Sequence, residues 1–187
     1  MKTSILKFGS LFLTIGLFLI SAMSNSQDVK LSKQEKRTAN RDKRYFNFQV
    51  LDTLLENKSF VLEADFLENQ YGNRRPVVSD LNFIKVDLTK AVLQTGTNSG
   101  MGINGVGGAT AEGSISGLKI VKNVKNLSFY IRFTVVTDIG IYDVEMTIYS
   151  AQNARATITG LTPGKIVYDG RIKTIYNSGI YKGHNSI

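Results

Sequence analysis

Few side chains in this sequence can do covalent or acid–base chemistry. It contains one histidine, His184, and no cysteine. His184 lies near the C-terminus among Gly, Asn and Ser, a composition that predicts disorder rather than a site. With one imidazole and no thiol, histidine-based triads, zinc sites and facial triads lack their ligands or bases. A nucleophile elbow is also missing, because Ser99 in Gly96-Thr97-Asn98-Ser99-Gly100 has the wrong spacing for G-x-S-x-G. Two carboxylate pairs remain, Glu63 with Asp65 and Asp143 with Glu145, each at i,i+2 on one strand face. A glycosidase needs two facing carboxyls in a cleft that raises one pKa, whereas alternation predicts solvated faces for both pairs. The reading is of a non-enzyme with no cofactor and no metal.

Two features could bind rather than react. Gly100-Met101-Gly102-Ile103-Asn104-Gly105 matches G-x-G-x-x-G. That motif holds a dinucleotide only where a strand feeds it and a helix opens from it, so that the helix N-terminus meets the pyrophosphate. Here Gly107, Gly108 and Gly113 follow, with no helical period and no acid about 20 residues on. The segment from Gly96 to Gly117 reads instead as a mobile or bulged connection, or as a strand kept thin so that another surface can approach, with Gly100, Met101, Gly102, Ile103 and Asn104 as ligand-loop candidates. The second feature is a stripe of Lys33, Arg37, Arg41 and Arg44 at helical spacing, with no opposite charge at i,i+3 or i,i+4. It suits a solvated spacer or an anion contact. At about 1 kcal/mol per base near an anionic surface, the local excess of charge would supply roughly 4 kcal/mol, a millimolar contact. No aromatics interleave the bases, and nucleic acid is not an expected partner.

The elements that must position these groups are mostly strands. Phe129, Ile131, Phe133 and Val135 alternate with Tyr130, Arg132 and Thr134, the period-two pattern of a half-buried strand. Thr137 to Gly140 reads as a tight hairpin, answered by Tyr142, Val144, Met146 and Ile148 facing inward. Ala154, Ala156 and Ile158 make another strand, Pro163-Gly164 a type II turn, and Asp169-Gly170 a type I′ turn between two short strands. Phe60, Leu62 and Ala64 alternate with Val61, Glu63 and Asp65. Pro76 confines its neighbourhood to an edge, and Phe83 to Leu88 and Ala91 to Thr95 complete the set. An all-β antiparallel barrel or sandwich of about nine or ten strands follows, largely a meander, with one N-terminal helix. That helix opens on a capping box, Ser32 with Glu35. It carries two apolar rows, Phe46/Val50/Leu54 and Phe48/Leu51/Leu55, and ends near Asn57.

Lys2 and Lys7 precede an apolar run from Phe8 to Ile20, followed by small polar residues with a cleavage point before Gln27, the layout of a secretory signal peptide. About 13 apolar residues are too few for a span, which needs roughly 20. Without cysteine there is no acceptor for a bacterial lipid anchor. The expected organisation is a signal peptide at 1–26, a charged helix at 27–57, a β domain at 58–175 and a flexible tail at 176–187. The whole chain carries 23 basic and 15 acidic side chains. Loss of Lys2 and Lys7 leaves 21 basic side chains and a mature net charge of +6, of which +4 lies between Asp28 and Arg44.

Several runs together resemble a known family. They are Phe60-Val61-Leu62-Glu63-Ala64-Asp65, Asn82-Phe83-Ile84-Lys85-Val86-Asp87, the glycine-rich centre, Tyr142-Asp143, and Ile166-Val167-Tyr168-Asp169-Gly170-Arg171-Ile172. From Lys33 to Ile172 the chain resembles domain-of-unknown-function family 4251, small exported proteins of Bacteroidota. The resemblance implies a place and a fold but no catalytic residues, since the family carries no established activity. Many members look like lipoproteins, and the lack of cysteine departs from that. The expectation is a free periplasmic or secreted protein. Its role is to bind an apolar or amphipathic ligand near the glycine-rich loop or, alternatively, to lay its basic helix on an anionic envelope surface or partner.

Overall fold

The computed structural model describes residues 32–97, 103–149, 152–160 and 164–186. The expected signal peptide therefore lies outside the described residues, as do Gly100, Met101, Gly102 and Pro163. The chain divides into two compact units, residues 1–38 and 39–187. Helix α1 spans Lys33–Glu56. Its first turn carries the expected reciprocal cap: the Ser32 amide donates to Glu35 Oε2 at 2.7 Å, and the Glu35 amide donates to Ser32 Oγ at 3.3 Å. The Ser32 amide, and after it the Ser32 hydroxyl, hold the Glu35 carboxyl below its ordinary value. At the other end the Lys58 amide donates to the Leu55 carbonyl at 3.0 Å, with Lys58 at a φ of 49° turning the chain into the first strand.

Nine strands follow among the described residues: β1 Ser59–Glu68, β2 Arg74–Pro76, β3 Phe83–Asp87, β4 Lys90–Thr95, β5 Ala109–Asn123, β6 Ser128–Thr137, β7 Gly140–Tyr149, β8 Asn153–Thr159 and β9 Lys165–Lys173. All pairings are antiparallel, and β1 returns to pair with β9. The architecture is an eight-stranded barrel plus the short strand β2, which lies along the upper half of β1. Pro76 ends that short strand, as its missing N–H requires.

Closure distinguishes this barrel from a sandwich. Asp169-Gly170 does not turn the chain as expected; both residues lie inside the continuous strand β9. Gly170 is needed there for space. It faces Ala64 where β1 bulges between Ala64 and Phe66, and a Cβ at Gly170 would stand 1.9 Å from the Glu63 carbonyl oxygen. Outside, the seam is laced by ion pairs: Lys173 to Glu63 at 2.5 Å, Arg171 to Asp65 at 3.3 Å, Arg155 to Glu68 at 2.8 Å, and Arg74 to Asp169 at 2.9 Å.

The interior is filled. Phe129, Ile131, Phe133, Val135, Val144, Met146 and Ile148 are buried along β6 and β7, as alternation predicts, and pack with Phe60, Leu62, Ile84, Val86 and Ile172 in one cluster. Phe48, Leu51 and Leu55 of α1 join this cluster, and the Phe48 ring stacks on Phe129 with centroids 4.7 Å apart. Lys122 at the far end of β5 pairs with Asp52 of α1 and lies 5.2 Å from the Phe48 ring centroid. Only one of the two predicted apolar rows docks fully. Phe46 and Val50 stay exposed, and Leu54 is partly buried. The helix closes one end of the barrel, where β1 begins. At the opposite end lie the connections β1–β2, β4–β5, β6–β7 and β8–β9.

Replacing Gly170 with Ala is expected to destabilise the protein by about 2–3 kcal/mol through overpacking. Thermal unfolding would read this as a midpoint lowered by roughly 5–10 °C; an unchanged midpoint would show that the seam can open to admit a methyl group.

Candidate functional site

Among the described residues the end of the barrel opposite α1 is open, and its lining is nearly all apolar. Leu93 of β4, Ala109 and Ala111 of β5, Ile139, Tyr142 of β7, Ile158 of β8, and Ile166 and Tyr168 of β9 surround a cavity of about 100 Å³, with Thr95 at its edge. These residues meet because each lies at or near its strand's open end. The floor is Tyr168, fully buried, whose hydroxyl donates across the barrel to the Gln94 carbonyl oxygen at 3.0 Å. That burial pushes its phenol far above the ordinary range, so the hydroxyl stays neutral and presents no charge to the cavity. The Tyr142 ring forms one wall and leans over Gly160, where a Cβ would meet the ring at 3.2 Å.

Outward, the cavity meets a hollow of about 330 Å³ that shares Tyr142, Ile158 and Ile166 and adds Asn69, Gln70, Tyr71 and Lys165. Together they approach the size of a small-ligand pocket, about 300–1,000 Å³. A hollow of about 650 Å³ beside α1 is larger, but Thr53, Gln152, Lys173, Thr174 and Asn177 make it more polar than the inner cavity of the mouth.

The described part of the glycine-rich segment lies at this open end, since Thr95 and Ala109 flank the β4–β5 connection. From Ala109 onward the segment is strand rather than loop. Ile103 is exposed and Asn104 is buried. Asn104 Nδ2 donates to the Thr95 carbonyl and to Thr110 Oγ1, both at 3.0 Å, while its Oδ1 accepts from the amides of Val106 and Gly108. All four hydrogen-bonding positions of this amide are engaged in shaping the loop, so Asn104 orders the connection and has none left for a ligand.

The expectation of a flexible tail does not account for what the structure shows beyond β9. Residues 174–186 run as a strap over the outer wall of β1, β3, β4 and β5. Ile175 and Ile180 pack on Val61, Phe83 and Val92. Gln94 is the hub: its Nε2 donates to the carbonyls of Leu81 at 3.1 Å and Tyr181 at 2.8 Å, and its Oε1 accepts from Thr110 Oγ1 at 2.9 Å and the Gly183 amide at 2.8 Å. The Gly179 amide donates to Glu63 Oε1 at 3.0 Å, the His184 amide to the Asn104 carbonyl at 3.0 Å, and Ser186 exchanges two bonds with the Thr110 backbone. Lys182 pairs with Glu112. Glu63 is therefore buried and partnered, contrary to the solvated face expected for it, because the strap covers that face. The His184 side chain is exposed, and its backbone anchors the β4–β5 loop.

Lys33, Arg37, Arg41 and Arg44 are all exposed. Arg41 approaches Asp42 at 3.5 Å, a surface pair worth about 0–1 kcal/mol. Asp143 and Glu145 are exposed as expected; Asp143 accepts from Thr134 Oγ1 at 2.6 Å, and Arg132 lies 3.9 Å from Glu145. No group of three or more His, Asp or Glu residues that could hold a metal occurs among the described residues.

A family model described as a domain of unknown function, DUF4251, matches residues 42–172. The chain belongs to the DUF4251 family. A solved DUF4251 protein from Bacteroides eggerthii has the same fold, with a TM-score of 0.60 at 24% identity over 71% of this chain and 91% of that one. No curated protein matches the sequence. The DUF4251 match ends at Ile172, so the strap lies beyond it, although the side chains that receive the strap belong to the matched domain.

Reasoning from sequence missed the mouth and the strap's hub. Ile175, Ile180 and Tyr181 were the available signal, since apolar residues recurring in a polar tail point to packing. One titration follows from the Lys182 pair. The hydrogen bond from Lys182 holds the Glu112 carboxyl below its ordinary value. A depressed folded-state pKa gives stability that is present above the unfolded value, about 4.3, and lost as the pH falls through the folded one. Amide protection in residues 179–186, measured against the intrinsic exchange rate at each pH, is therefore expected to fall relative to the β6–β7 core as the pH falls from 7 to about 3. An equal loss of protection in both places would show that Glu112 does not fasten the strap.

Proposed function

We propose that the protein is an exported, non-enzymatic module that binds an apolar or amphipathic ligand at the open mouth of its barrel. The carrying observation is the mouth itself, an apolar cavity floored by a neutral, hydrogen-bonded tyrosine and continuous with a hollow that bears one cation, Lys165. Such a site favours an aliphatic or aromatic body inside and a polar end outside. The packed cluster of Phe129, Ile131, Phe133 and Met146 leaves this ligand the mouth rather than the centre of the barrel. The layout of residues 1–26 supports export, and the scarcity of imidazole and thiol groups supports binding without turnover.

A second reading, contact between α1 and an anionic surface, draws on the exposure of Lys33, Arg37, Arg41 and Arg44. Its mark would be steep loss of binding with salt and after charge reversal of those four residues.

Native mass spectrometry of protein taken gently from its own envelope is expected to show a discrete retained mass that is lost on denaturation. In solution a fluorescent fatty acid should bind, and Ile166→Asn should weaken it about tenfold by placing an amide in the apolar wall. A clean apo mass together with no probe binding would remove the mouth as a ligand site.

A further inference from the structure

The exposed apolar side chains at the mouth end form a pattern of their own. Tyr71 in the β1–β2 turn is 78% exposed and Ile103 in the β4–β5 loop 72%. Ile139 and Ile141 on the β6–β7 hairpin and Ile166 at the start of β9 are exposed by 37–45%. Val136 faces Ile141 across the hairpin and is exposed as well. These residues come from four separate segments that share only their place around the opening. Single exposed apolar residues are ordinary, but a set that rings an apolar cavity marks an interaction surface.

We infer that this rim docks on an anionic lipid surface and that the mouth's ligand is an acyl chain drawn from it, an inference that rests on the binding function proposed above. Two observations favour lipid over protein. The rim is continuous with the cavity, as Tyr71, Ile139 and Ile166 line both the opening and the hollows within, so a docked acyl chain has an unbroken apolar path inward. Charge also contributes: Arg75 on β2 and Lys165 at the start of β9 stand at this end and make no salt bridge among the described residues, Lys165 acting at longer range on a Glu68 carboxylate that Arg155 already holds, so both can meet phosphate headgroups, against the exposed Asp138 on the hairpin. Isoleucine and tyrosine suit a shallow site of this kind, with apolar bodies at acyl depth and a phenol at headgroup level.

The full-length mature protein would be sedimented with vesicles of phosphatidylethanolamine and phosphatidylglycerol, and its binding to a fluorescent fatty acid measured without vesicles. The expected result is vesicle binding that falls about tenfold with Ile103→Gln and with Ile141→Gln, while Ile141→Gln leaves the fatty-acid affinity within twofold. Both positions are exposed, so neither change disturbs the core. Five results would overturn the docking. The wild type could bind the fatty acid but not vesicles, which would leave the mouth reading intact. Vesicle binding could be indifferent to both rim changes, or it could be lost on charge reversal of Lys33, Arg37, Arg41 and Arg44, placing the contact on α1. Sedimentation could show a dimer that dissociates with Ile141→Gln, placing a second copy on the rim. Failure of both fatty acid and vesicles to bind would remove the underlying function as well.

Discussion

The pairing of β1 with β9 is the contact on which the rest of the structure depends. An open sheet of the eight barrel strands, β1 and β3 to β9, would leave two edges of unpaired amides and carbonyls and an uncovered apolar face. Closing it satisfies both edges and turns the alternating inward residues into a single enclosed core. The closure is steric before it is electrostatic. Gly170 lets the β9 backbone approach the bulge at Asp65, and the ion pairs along the seam then act at short range on strands already in register.

Once the barrel is closed, its two ends differ. At one end Phe48, Leu51 and Leu55 seal the core from α1, with Lys122 and Asp52 holding the far end of β5 against the helix. At the other the filling stops at Tyr168 and Ile158, and no helix covers it among the described residues. Among the described residues the barrel is thus sealed by α1 at one end and lined by apolar side chains at the other. The strap adds a constraint on that open end. Through Gln94, Thr110 and Asn104 it ties the outer wall to the β4–β5 loop, so the loop's shape depends on residues more than 70 positions away. Burying these polar groups is tolerable because their hydrogen-bonding capacity is met; no unpartnered buried side-chain polar atom occurs among the described residues.

The DUF4251 domain accounts for the barrel and for the groups that receive the strap, whereas the strap itself extends past the family match. Apolar surface remains at the mouth and its rim, as it does at Phe46 and Val50 on α1 and at Leu88, Val121 and Val124 near the opposite end.

The sequence by itself determined the local elements. Alternation along β6 and β7, the hairpin at Gly140 with its φ of 155°, the Ser32–Glu35 cap and the edge position of Pro76 all depend on near neighbours, and each is found where periodicity and turn chemistry put it. Tertiary structure decided what depends on distant partners. Asp169-Gly170 has the composition of a turn, yet it lies within a strand because closure required a residue without a side chain opposite Ala64, close against the Glu63 carbonyl. Val61 and Glu63 alternate like solvent-facing positions, yet both are buried because the strap crosses them. Asn104 had the look of a ligand-loop residue and instead binds the loop together. The mouth was not legible at all, since its lining comes from five strands and a hairpin turn, and no spacing within one stretch of chain encodes which ends meet around an opening.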